Sequence, residues 1–191
     1  MKKTFYGRNE LIAEAKYLEI MGHDFIDSAL ELFNKKEETQ EWSKHIYSFN
    51  LLAAQAVEIL PKSLIAVHLC LNKNNYPIDA TRCLTRKELG QLGHRLDLIF
   101  KKVPKLKKKL KIYSIKRISN IFLDEYVLTI NNKKVSIKYL EGARYVAFAT
   151  NSNLLSCYNN NVPNFLKELS DATKELITDM INDFDDKKNN I

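Results

Sequence analysis

The sequence is poor in cysteine, glycine and proline, and each shortage argues against a class of protein. Its three cysteines, Cys70, Cys83 and Cys157, are odd in number and form neither a CxxC motif nor a metal-ligand spacing, which argues against a disulfide framework or a zinc site. Five glycines and four prolines are too few for the many tight turns of an all-β fold. We therefore expect long helices, reduced thiols and no metal site.

Several functional signatures are also missing. The sequence contains no Gly-rich phosphate loop, HExxH helix, GxSxG elbow or paired metal-binding acids, so we expect no cofactor, and most enzyme classes are without support. The N-terminal segment 1–17 becomes charged before any apolar run, unlike a secretion signal. The longest apolar window, 63–71, is far short of a membrane span. We expect a cytoplasmic protein that does not enter membranes.

The length and the charge of the chain indicate its domain organisation and a possible contact surface. With 191 residues and 45% hydrophobic content, the chain is long enough for one good core, and we expect a single domain over 1–191 with a short disordered tail at 187–191. The net charge of +7 is uneven: residues 101–117 include nine basic and no acidic residues, whereas residues 163–191 include seven acidic and four basic ones. Such a basic segment suits either a solvated helix face or a nucleic-acid contact.

Apolar residues recur at helical spacing over most of the chain, which predicts an up-and-down helical bundle. The predicted helices are Asn9 to about Asn34, Thr39 to Asn72, one starting near Gly93, Pro104 to Leu123, and Pro163 to about residue 186. The second is apolar on nearly all sides and should lie at the centre of the core. Its His68, in an apolar run, is expected to be a hydrogen-bonded core residue.

A narrow polar stripe interrupts this central helix and contains Ser48, Gln55, Glu58 and Lys62. Glu58 and Lys62 are spaced as a favourable i,i+4 ion pair. The stripe is consistent with a structural ion pair, with a cleft, or with a subunit contact.

Near residue 126 the apolar period changes from helical to alternating, which predicts a β-hairpin over about residues 126–139. The Asn-Asn pair at 131–132 suits a type I′ turn, which needs two positive φ angles. That turn sets two apolar pairs across the hairpin, Leu128 with Val135 and Tyr126 with Ile137. The predicted fold is therefore mainly α, a bundle with one inserted hairpin.

Three motifs, in this order, resemble those of the HEPN domain, a nucleotide-binding family of higher eukaryotes and prokaryotes. The first is Ala-Val-Glu followed three residues later by Lys, at residues 56–62. The second is a Gly-His-x-Leu helix start at residues 93–96, and the third is an Arg-Tyr pair, Arg144 and Tyr145. The resemblance covers about residues 8–186.

This resemblance implies a homodimeric helical bundle of the kind found in toxin–antitoxin and phage-defence systems, with a nucleotide or RNA ligand or a cognate protein partner. Many members of the family are metal-independent ribonucleases that carry Arg and, four to six residues later, His on a late helix. The present chain departs from that pattern, because Arg144 is its last arginine and His94 its last histidine. The family's nuclease assignment therefore does not carry over.

The resulting first hypothesis is a non-catalytic, dimerising HEPN-like module. It would bind a phosphorylated or nucleotide-like ligand, or a protein partner, in a cleft formed by Glu58, Lys62, His94, Arg95, Arg144 and Tyr145. The same residues would equally suit a buried polar network that fixes helix packing.

Two alternatives belong to other classes. One is a ribonuclease toxin with a displaced site, in which His94 acts with Arg86 or Arg95. The other is a nucleic-acid binder acting through a basic helix at 101–117, with these candidate contacts: Lys105, Lys107, Lys108, Lys109 and Lys111.

Overall fold

A computed structural model describes residues 5–6, 8–38, 42–72, 76–77, 89–120, 123–138 and 161–189. Within these residues the fold is mainly helical, with a small three-stranded antiparallel sheet. A separate two-residue pairing joins β1 (Phe5–Tyr6) to β2 (Tyr76–Pro77). The expected fold class, mainly α with an inserted β-hairpin, is confirmed.

Two long helices form the body of the bundle. They are α1 (Arg8–Glu38) and α2 (Trp42–Asn72). They run antiparallel, because Gly22 lies against Leu60 while Phe33 lies against Phe49, farther toward the C-terminus of α1 and the N-terminus of α2. Gly22 permits this approach, since a Cβ there would lie 2.6 Å from Leu60 Cδ2. The central position expected for α2 is confirmed by its buried side chains, which dominate the core.

A third long helix, α5 (Val162–Asn189), packs against α2 and α1. Its apolar stripe, including Phe165, Leu166 and Leu169, is buried. A polar contact also joins it to α1, where His23 Nδ1 lies 2.9 Å from Ser170 Oγ. The helix includes residues 187–189, which belong to the segment expected to be a disordered tail.

The sheet has the strand order β3 (Ile112–Asn120), β4 (Leu123–Ile130), β5 (Lys133–Lys138). The hairpin between β4 and β5 has the predicted turn and register. Asn131 and Asn132 have φ angles of 49° and 65°, and the two predicted apolar pairs, Leu128 with Val135 and Tyr126 with Ile137, are both present and buried.

Strand β3 contradicts the helix predicted from Pro104 to Leu123. The helix there, α4 (Pro104–Lys109), ends early: Lys111 has φ 52° and its carbonyl accepts a hydrogen bond from Asn131 N–H. The side chains of Tyr113 and Ile118, expected to face inward on that helix, are 65% and 42% exposed. The basic segment 101–117 is therefore not one helix.

Three short helical elements lie in the described part of the chain between α2 and the sheet. A 3₁₀ turn (Gly90–Leu92) precedes α3 (Leu96–Lys102), which is followed by α4. The predicted helix start at Gly93 is three residues too early, because Gly93 adopts φ 50°, ψ −138°, which is not helical. Only glycine takes up such a conformation readily, so Gly93 ends the 3₁₀ turn and does not start α3.

Among the described residues, one segment, Ser48–Leu71 of α2, is long and apolar enough to cross a membrane. In the sequence alone, the longest apolar window, 63–71, is far short of that length. The segment is mostly buried inside the fold, as in the core helix of a soluble protein.

Candidate functional site

Three of the predicted site residues meet where the turn after the 3₁₀ segment crosses α2. Glu58 and Lys62 lie on successive turns of α2, and the Lys62 ammonium donates to Glu58 Oε1 over 2.6 Å. The same ammonium donates to the carbonyl oxygen of Gly93 over 2.8 Å. His94 Nδ1 lies 2.9 and 3.1 Å from the two carboxylate oxygens of Glu58. We call Glu58, Lys62, Gly93 and His94 the Glu58 cluster.

Burial makes this cluster different from a surface ion pair. The side chains of Glu58 and Lys62 are 7% and 14% exposed. A buried carboxylate needs compensating donors to remain charged, and Glu58 has two, one from its own helix and one from the turn. Lys62 in turn ties that turn to α2 through Gly93. The cluster therefore fixes where His94 lies.

The orientation of His94 follows from the chemistry of its partner. An ionised carboxylate only accepts hydrogen bonds, so Nδ1 carries the proton that it donates to Glu58. In the neutral ring, Nε2 is then the basic nitrogen. The His94 side chain is 68% exposed, although Glu58 beneath it is buried. An imidazole oriented by a buried carboxylate and exposed to solvent is suited to binding an anion or transferring a proton.

Arg95 lies beside the cluster and is engaged with Asp97. Its Nε and Nη2 atoms donate to the two carboxylate oxygens of Asp97 over 2.9 and 2.7 Å. This pairing raises the pKa of Arg95 and lowers the pKa of Asp97, in each case mainly through the hydrogen bonds. Tyr126 of β4 contributes a smaller upward effect on the Arg95 pKa.

The remaining predicted site residues lie outside the described residues. They are Arg86, Arg144 and Tyr145. The sequence analysis also missed three participants: the Gly93 carbonyl, Asp97 and Tyr126. Asp97 had a visible signal, since it follows Arg95 by two residues at a helix start, but Tyr126 is brought near only by the fold.

The five lysines predicted to contact nucleic acid do not all lie on one helix. Lys105, Lys107, Lys108 and Lys109 belong to the short helix α4, and Lys111 lies in the turn before β3. Lys107 is half-buried and the others are exposed. Lys109 forms an ion pair with Glu175 of α5.

His68 also departs from expectation, since its side chain is exposed rather than buried in the core. It borders an apolar groove of about 670 Å³ between α2, the 89–106 region and α5. The groove contains none of the residues of the Glu58 cluster.

No group of three or more His, Cys, Asp and Glu side chains is arranged to hold a metal ion within the described part of the chain. Comparison of this chain with protein-family models, with curated proteins and with solved structures finds no match. The geometry of the Glu58 cluster is therefore the main guide to function.

Proposed function

We propose that this chain is a dimerising, HEPN-like helical module that binds a phosphorylated or nucleotide-like ligand at His94. In this proposal the protein is cytoplasmic and works in a toxin–antitoxin or phage-defence setting, where a cognate protein partner is a further expectation. The observation that carries the proposal is the buried Glu58 carboxylate, which orients the solvent-exposed ring of His94.

The ion pairs beside His94 compensate the negative charges of Glu58 and Asp97, so these carboxylates do not repel an anionic ligand. Lys62 neutralises Glu58 at 2.6 Å, so the carboxylate does not present an uncompensated negative charge to a phosphate. The His94 ring and the neighbouring guanidinium of Arg95 are both exposed. Imidazolium and guanidinium groups commonly donate hydrogen bonds to phosphate oxygens in proteins. Lys62 itself is occupied by Glu58 and Gly93, so its role is to position the cluster rather than to touch the ligand.

The test uses the imidazole nitrogens of the four histidines as reporters. AMP and, separately, inorganic phosphate are titrated into ¹⁵N-labelled protein, and the ring signals are followed by NMR. We expect saturable shifts for His94 but not for His68, which is also exposed but lies along the apolar groove. The variants His94→Ala and His68→Ala assign the signals. Saturation of the His68 signal alone, or no saturable shift with AMP or phosphate, refutes the proposal.

The same geometry favours one second candidate, a metal-independent ribonuclease. With Nδ1 of His94 bound to Glu58, Nε2 could take the proton from a ribose 2′-hydroxyl, whose oxygen attacks the adjacent phosphorus. The bond to the 5′-oxygen then breaks, leaving a 2′,3′-cyclic phosphate; the 5′-oxygen takes a proton from water to become a hydroxyl, and His94 Nε2 returns its proton to the solvent. Arg95 would stabilise the charge on the phosphoryl oxygens.

Cleavage of a defined RNA oligonucleotide separates the two candidates. Ribonuclease activity predicts products that disappear with His94→Ala, weaken with Glu58→Gln and persist with His68→Ala. Replacement of the attacking 2′-hydroxyl by hydrogen should also block cleavage. Saturable AMP binding without any cleavage leaves the non-catalytic binding module as the function.

A further inference from the structure

Strand β3 is an exposed edge of the sheet. Within the described residues it pairs with β4 alone, and β4 separates it from β5. Ile112 at its start is buried, but residues 116–119 are all exposed. The strand therefore extends beyond the helices, with its side chains accessible to a large partner.

The chain segment that leads into β3 and forms its first half is strongly basic. The nine basic residues of 101–117 come from the end of α3, from α4, from the Lys111 turn and from β3, and all but the half-buried Lys107 are exposed. No acidic residue interrupts that segment. A stack of lysines on one side of a helix, as the sequence suggested, would be a simple solvated face. Their spread over four consecutive elements instead makes them a basic patch, which we call the β3 surface, and Glu168, Asp171 and Glu175 of α5 border it beside Lys109 and Lys111.

An aromatic side chain lies within this surface. The register of β3 against β4 shifts between Ile112 and Ser114, so Tyr113 is the extra residue of a β-bulge. Its side chain is 65% exposed, and it lies in the chain between Lys111 and Lys116. Burial normally stabilises a tyrosine ring, so such exposure between two lysines needs a reason. Exposed aromatic rings among cations are the contacts that stack unpaired bases.

We propose that the β3 surface binds single-stranded nucleic acid, with the backbone contacting the lysines and a base stacking on Tyr113. A single strand is favoured over a duplex because stacking on Tyr113 requires an unpaired base. Binding at this surface goes beyond the proposed function and does not require the Glu58 cluster.

The first experiment measures the electrostatic part. A fluorescein-labelled 12-nucleotide single-stranded RNA is titrated with protein at several salt concentrations, and anisotropy gives the affinity. Each phosphate contact contributes about 0.7 to the slope of log affinity against log salt concentration. The double substitution Lys111→Glu, Lys116→Glu should therefore reduce that slope by about 1.4 and lower the affinity by roughly tenfold or more. The matched control, Lys16→Glu with Lys167→Glu, reverses two exposed lysines on α1 and α5. It should change the affinity by less than about threefold, since it removes no contact.

The second experiment measures the stacking part. Tyr113→Ala should weaken RNA binding by about tenfold, whereas Tyr113→Phe keeps a ring and should bind nearly as well as the wild type. A 12-base-pair duplex should bind less tightly than the single strand. Circular dichroism spectra and melting curves establish that each variant is folded.

Three results would overturn the proposal. The first is an equal loss of RNA affinity in the Lys111, Lys116 variant and in its Lys16, Lys167 control. The second is an affinity for the duplex equal to that for the single strand. The third is competition by polyglutamate as strong as that by RNA of the same charge, which would indicate an acidic protein partner instead. The AMP titration, repeated with the Lys111→Glu, Lys116→Glu variant, keeps failure of this proposal distinct from failure of the function proposed above. The AMP shifts of the His94 ring should persist in that variant while its RNA affinity falls.

Discussion

The i,i+4 ion pair of Glu58 and Lys62 has an exposed counterpart in the same protein, which allows the effect of burial to be measured. Glu31 and Lys35 of α1 have the same spacing and the same 2.6 Å separation, but their side chains are 66% and 50% exposed. We therefore compare Glu58→Gln with Glu31→Gln. Each substitution removes one negative charge from a helix and keeps the shape of the side chain.

The expected cost of Glu58→Gln follows from the contacts of its partners. Removing one member of a fully buried pair costs about 3–5 kcal/mol, because the other charge stays buried. Lys62 is 14% exposed and keeps its bond to the Gly93 carbonyl, and a glutamine oxygen can still accept from it. These three facts reduce the expected loss in unfolding free energy to about 2 kcal/mol. Glu31→Gln should have no measurable effect, because solvent screens an exposed pair.

Urea denaturation followed by circular dichroism measures both changes. With a slope of about 2 kcal/mol per M, the Glu58→Gln midpoint should fall by about 1 M, whereas the Glu31→Gln midpoint should stay where it is. Replacing both Glu58 and Lys62 by methionine should recover much of the loss, since no buried charge then remains. Equal midpoints for the two glutamine variants would mean that burial does not strengthen the pair, and the positional role of the cluster would be refuted.

Two further predictions concern the packing and the surface. Gly22→Ala places a Cβ 2.6 Å from Leu60 Cδ2, which should cost about 1–3 kcal/mol through overpacking. This cost should exceed the roughly 1 kcal/mol that alanine gains in helix propensity, so the urea midpoint should fall. A rise in the midpoint would show that α1 and α2 move apart without cost. Asp97 has a lowered pKa because of its bonds to Arg95, so its stabilising contribution is present above the ordinary carboxyl pKa and is lost as the pH falls through the lowered value. Melting temperatures should therefore show the wild type more stable than Asp97→Asn at pH 6, with the gap closing on acidification toward pH 2; a gap that does not change with pH contradicts this assignment.

The local sequence pattern was enough to predict those elements whose tertiary contacts favour the same structure. The Asn-Asn pair fixed the β4–β5 turn, because its positive φ angles allow one tight hairpin register, and the alternating apolar residues selected the same register. The length and nearly uniform apolarity of α2 likewise required a central position. The pairing of Glu58 with Lys62 followed from helix geometry alone.

The misassignment of β3 has a specific cause in the β-bulge. The extra residue at Tyr113 places Ile112 and Ile115, three apart in sequence, opposite the inward Ile130 and Leu128. The helix prediction instead counted Tyr113 and Ile118 as inward residues that continue the spacing of Leu106 and Leu110, and so extended α4 across the turn. No glycine follows α4 to signal its end either, because Lys111 itself takes the positive φ angle.

By itself, then, the sequence determined the helical class, the hairpin and the polar stripe on the central helix, since these depend on spacings of a few residues. Tertiary structure alone decided that Glu58 and Lys62 of this stripe are covered by a turn more than thirty residues away, with His94 oriented by Glu58 and Lys62 bonded to Gly93. It also decided that the end of the basic segment joins a strand at the edge of the described sheet, because β4 offers a hydrogen-bonded partner that local propensity cannot anticipate.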